Sequence, residues 1–194
     1  DYLNLIKYRP ERLNRATEDM LIDILETDSL AKKLLGMQLM VEPVAITIFR
    51  FIIESKVEPV LCDLLAFYER DETRHIALGV KFLPEIIKEL SWSQKVSLLL
   101  WQIKILSLEV DGLRNLEPDF RALGIDPNEV FLFAEKKQMD ALELLATELG
   151  IESVIWEPVK KLMEIQKEMA FSKSQSVSLV YNVSVMFRRI LLGA

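Results

Sequence analysis

Apolar residues along this chain recur three and four positions apart, the period of helices that bury one side, and no stretch shows the strict alternation of a half-buried strand. Residues 1–10 read as a lead-in ending at Pro10. From Glu11 to about Glu26, the positions of Leu13, Met20, Leu21, Ile24 and Leu25 predict an amphipathic helix. Asp28 or Ser29 is placed to cap the next helix, which reaches about Ser55. Pro59 suits the first turn of another, running to about Leu90, with Pro84 expected to kink or interrupt it. Ser91 or Ser93 opens a helix to about Asn115, with Leu98, Leu99, Ile103, Leu106 and Leu113 on one side. Glu117 to Pro127 carries the strongest loop signal in the chain. A helix from about Asn128 to Leu149 stops at Gly150, and Glu152 to about Leu192 reads as one long helix or two. The expected fold is all-α, a single helical domain over 1–194.

One carboxylate breaks the apolar pattern. Glu42 lies inside the run Leu39-Met40-Val41-Glu42-Pro43-Val44-Ala45-Ile46, where an uncompensated charge is costly. Thirty positions later stands Asp71-Glu72-Thr73-Arg74-His75, in which Glu72 and His75 share one helix face. The turn signal Ser55-Lys56-Val57-Glu58-Pro59 is centred on Val57, midway between Glu42 and Glu72. A hairpin folded there carries both residues to the same height, each about 22 Å from the turn at 1.5 Å per residue. Glu facing Glu-x-x-His across a helical hairpin is half of a di-metal carboxylate site. Gln38 then lies near the level of His75 and within reach of the site. Asp71 points about 100° round the helix from Glu72, where it is placed to accept a ring N–H from a histidine on a neighbouring helix. Tyr68, one turn before Glu72, either faces the site or packs. Pro43 removes a helix hydrogen bond beside Glu42 and predicts an irregular segment.

Plainer readings of the same residues exist. Glu-x-x-His spacing arises in helices that bind nothing, and Arg74 suits a surface pair with Glu69 or Asp71, or a buried pair with Glu42. Glu109, Glu135, Asp140 and Glu143 have no histidine nearby and read as solvated or ion-paired.

Composition narrows the function classes. The 194 residues are 51% hydrophobic with only 6 Gly and 7 Pro, as long helices around a sizeable core require. A net charge of −6, with no basic run longer than Arg188-Arg189, leaves no nucleic-acid footprint. The single Cys62 forms no internal disulfide, which suits a reducing, cytoplasmic compartment. Arg50 and Glu54 interrupt the longest apolar stretch, so no membrane span is expected.

Leu35-Gly36-Met37-Gln38-Leu39-Met40-Val41-Glu42 and Arg70-Asp71-Glu72-Thr73-Arg74-His75-Ile76-Ala77-Leu78-Gly79-Val80 together resemble the second half of ferritin-like di-iron proteins. Within that group the resemblance is to bacterial oxidase and oxygenase relatives of the ribonucleotide reductase small subunit and to arylamine N-oxygenases. It covers about residues 28–90, leaving 91–194 as additional helices. It implies a ferritin-like bundle with Glu42, Glu72 and His75 as metal ligands and Asp71 in support. It further implies two ions, iron or iron with manganese, that activate O2 to oxidise a small apolar organic substrate. Two positions depart from the family pattern: Pro43 replaces a small residue after the third-helix Glu, and Thr73 replaces the Ala of D-E-A-R-H. The family's earlier Glu and earlier E-x-x-H have no counterpart in residues 1–35. Since the sequence opens on Asp1, the expectation is an upstream hairpin bearing both, with a homodimer as the other route to a full set. The contrasting expectation is a helical interaction or apolar-ligand-binding protein that keeps only a ferritin-like remnant.

Overall fold

The structure, a computed structural model, describes residues 2–5, 7, 12–149 and 161. Every regular element among them is helical. After a single turn, α1 (Tyr2–Leu5), come α2 (Arg15–Glu26) and α3 (Leu30–Leu34), a π-helical segment (Leu35–Val41) and α4 (Glu42–Ser55). They are followed by α5 (Pro59–Glu89), α6 (Trp92–Asn115), α7 (Glu117–Ala122) and α8 (Pro127–Leu149). Two compact units divide the chain, Asp1–Leu145 and Ala146–Ala194. The expectations for Gly150 and for Glu152 to Leu192 lie outside the described residues.

Side chains at the helix starts explain most boundaries. Asn14 Oδ1 accepts the Thr17 amide at 2.9 Å, so α2 begins at Arg15 rather than Glu11. Ser29, not Asp28, caps α3 through the Lys32 amide. Both Glu58 oxygens accept amides of the first α5 turn, Val60 at 3.1 Å and Leu61 at 2.6 Å, with Pro59 in the first helical position. Ser91 and Gln94 form a reciprocal capping box on α6. Helix α5 continues through Pro84, so of the kink or interruption that the sequence predicts, the interruption does not occur. The loop read at Glu117 to Pro127 contains the short helix α7, started by Pro118 and closed at Gly124 with φ 73°.

Helices α4 and α5 fold back on each other through Lys56, held at φ 52° in the left-handed region. Helix α2 packs along α6, and α6 also meets α3 and the π segment. Ile24, Leu39, Met40, Leu83 and Ile105 are essentially sealed from solvent between these elements. Gly36 sits at their closest approach: a Cβ there would lie 2.8 Å from both Ile24 and Trp101. A second apolar cluster, Phe120, Ile125 and Val130, packs against Ile48, Phe51 and Ile52 of α4.

The continuous rod Leu30–Ser55 is long and apolar enough to cross a membrane, contrary to the expectation from its charged residues. Length and apolar composition are a weak criterion for a span. Buried core helices pass it too, and this rod contributes Leu35, Leu39, Met40, Val44 and Ile46 to the interior of the fold.

Candidate metal centre

The π segment ends where the site begins. The Glu42 amide donates to the Met37 carbonyl five residues back, the wide-turn bond of a π-helix. Pro43 follows immediately; it has no amide to donate, and its ring crowds the carbonyl four residues back in a regular α-helix. The irregularity that Pro43 predicts therefore takes the form of a widened turn just before Glu42. Inside α4, Thr47 Oγ1 donates to the Pro43 carbonyl at 2.9 Å and is itself buried.

Glu42 emerges from this turn toward α5, its side chain only 7% exposed. Across the hairpin, His75 Nδ1 stands 3.0 Å from Glu72 Oε2 and 3.6 Å from Glu42 Oε1. One ligand atom from each of the three residues falls within 4.8 Å of the others. The site grades from buried Glu42 through Glu72, 25% exposed, to His75, 55% exposed, so it opens outward on the α5 side. Glu42 Oε2 is fully buried and has no hydrogen-bond partner among the described residues. Such an orphaned carboxylate oxygen is what a cation would satisfy, and two carboxylates with one imidazole form a hard donor set suited to iron, manganese or zinc.

Electrostatics agree with the geometry. Burial first, then repulsion from Glu72, raises the Glu42 pKa to about 7 against an opposing pull from His75. The hydrogen bond to Glu72 is the main cause raising the His75 pKa, with the Glu42, Glu72 and Asp71 charges adding to it. A metal ion would have to displace protons that these raised pKa values favour on Glu42 and His75.

The other residues singled out in the sequence sit around this trio. Gln38, in the π segment, has a buried Oε1 with no hydrogen-bond partner. Asp71 and Arg74 pair with each other at 3.1 Å, both more than half exposed, so Glu42 shares its site with His75 rather than with Arg74. Asp71 acts on His75 only through its field. Tyr68 is half exposed, its ring 6.3 Å from Phe49.

Gly79, one turn beyond His75, lets the hairpin close this tightly. A Cβ at that position would come within 2.5 Å of the Gln38 Cβ, an atom no rotamer change can move aside. Gly79→Ala is therefore expected to push α5 off the π segment and destabilise the protein by about 1–3 kcal/mol in urea unfolding. Unchanged stability would mean that the two helices do not meet at this distance.

Sequence reasoning misplaced one acidic group. Glu109, read as solvated or ion-paired, is buried and accepts a hydrogen bond from Gln138 Nε2 at 2.6 Å. The available signal was its position in Ile105-Leu106-Ser107-Leu108-Glu109-Val110, an apolar run like the one around Glu42. Among the described residues, the Glu42, Glu72 and His75 trio is the group of three or more such ligands that could hold a metal. No protein-family model, curated protein sequence or solved structure matches this chain.

Proposed function

We propose that this protein is a metal-dependent oxidoreductase of the ferritin-like carboxylate kind, binding iron or manganese through Glu42, Glu72 and His75. The observation that carries this reading is the convergence of the three ligand groups around the unpartnered buried oxygen of Glu42. When bound, such metals supply O2 activation for the oxidation of an organic substrate. The chain's own residues do the rest. Glu42 anchors the buried side, His75 and Glu72 close it from α5, and the wide π turn sets the depth of Glu42. Two ions together need more donors than this trio. We assign the remainder to an upstream hairpin carrying a Glu and a second Glu-x-x-His, or to a second copy of the chain.

Metal binding should rise with pH. Coordination requires an ionised Glu42 and a neutral His75, and both pKa values are raised. Manganese(II) affinity, measured by calorimetry, is expected to strengthen as pH rises from 5.5 through about 7, with protons released on binding. Affinity that is flat across this range would remove these groups from the coordination sphere.

A second reading rests on the outer face of α5. Phe67, Tyr68, Leu78 and Phe82 are each close to half exposed or more, on the turns before and after the site. A helical interaction protein would use such a surface for docking. Metal content separates the two readings, because docking needs no ion.

A further inference from the structure

Away from the metal centre, the interior holds a carboxyl group that the proposed chemistry does not use. Glu109 of α6 and Gln138 of α8 are 5% and 4% exposed and meet through a single hydrogen bond of 2.6 Å. Glu109 Oε1 is buried with no hydrogen-bond partner among the described residues. Gln102, two turns earlier on α6, is the other buried polar side chain of that helix.

Charged groups on the surrounding elements are engaged elsewhere. Asp23 of α2 pairs with Lys104, and Asp111 of α6 lies 3.9 Å from Arg114. On α3, Lys32 lies over the Trp101 ring; on α7, Glu117 pairs with Arg121; on α8, Lys137 covers Phe133. None of these, nor Glu135 or Asp140 of α8, enters the shift of Glu109, whose pKa burial raises to about 8 against only the Gln138 hydrogen bond. Among the described residues, an ionised carboxylate here would have one amide for a partner and no cation, an arrangement that strongly favours the protonated acid.

We propose that the Glu109–Gln138 contact is a proton-operated latch holding α8 on α6, tight while the carboxyl keeps its proton and looser as the proton is drawn off. The sign follows from linkage. Undocked, Glu109 titrates at its ordinary 4.5; docked, it holds its proton to about 8. Between those values only the docked state retains the proton, so docking weakens about tenfold per pH unit as pH rises, and levels above the docked pKa.

Hydrogen exchange on the full chain from pH 5 to 9, corrected for the intrinsic pH dependence of exchange, tests this. Protection of α8 amides should fall about tenfold per unit up to pH 8 and then flatten, while that of α2 falls less. In Glu109→Gln the α8 protection should lose the part of this decline that belongs to Glu109 and fall no faster than that of α2. Glu109→Met provides the same comparison should the amide variant fail to fold. Glu42 and His75 titrate in the same window but are present in every variant, so the difference between curves belongs to position 109. Equal α8 protection at pH 5 and 8 in the native chain overturns the latch. So does a parallel decline in native chain and variant, or loss of α2 and α8 in the same proportion.

Discussion

Glu72→Ala and His75→Ala are each expected to lower affinity for iron(II) or manganese(II) by at least about 100-fold, because losing a ligand should cost more than the 10- to 100-fold typical of outer-shell partners. Both side chains reach the buried Glu42 carboxylate from one turn of α5, His75 at 3.6 Å. Removing either leaves two donors, one of them deep in the core. Asp71→Asn and Arg74→Ala provide the contrast. Their side chains pair with each other on the exposed face, so their affinities should stay within about tenfold of the native protein. Metal content after dialysis, with circular dichroism to confirm folding, gives the result. Native-like retention in both the Glu72 and His75 variants would dispose of the site. A loss as large in Arg74→Ala would mean that the surface pair reaches the metal after all.

The parts of this site legible in the sequence are those governed by simple periodicity. A turn equidistant from Glu42 and Glu72, and a three-residue step from Glu72 to His75, need only helix geometry to bring the trio together. The all-α fold followed from the same periodicity, since strands would have required alternation that the chain lacks. What escaped was set by contacts across the fold. Periodicity shows that Glu109 lies on an apolar helix but not that α8 returns to bring Gln138 against it. Nor does it distinguish a proline that breaks a helix from Pro84, which α5 carries through. Asp71 stood between two readings, a histidine on another helix and a surface pair with Arg74; Arg74, three residues away on its own helix, takes it. The π turn lies between these cases: Pro43 announces an irregularity, and its form depends on how the backbone widens to admit the ring.

Glu42→Gln should separate binding from stability with opposite signs. The folded protein raises the Glu42 pKa from 4.5 to about 7, so between those values it must hold a proton that the unfolded chain has released. The contribution of Glu42 to the stability of the metal-free protein accordingly falls as pH rises from about 4.5 to 7 and is level beyond. With a side chain only 7% exposed, the loss approaches its ceiling of about 3 kcal/mol, less whatever His75 returns by attraction. A glutamine carries no charge to desolvate, so at pH 7.5 without metal the variant should be more stable by about 1–3 kcal/mol in urea. Metal reverses the order. An ion at 1,000 times its dissociation constant adds about 4.1 kcal/mol to a native protein that binds it and almost nothing to a variant that does not. The two unfolding curves should therefore exchange places when manganese(II) is added at pH 7.5. A variant less stable than the native chain without metal would mean that Glu42 is a structural partner of His75. Curves that shift together on addition of metal would show that Glu42 does not bind it.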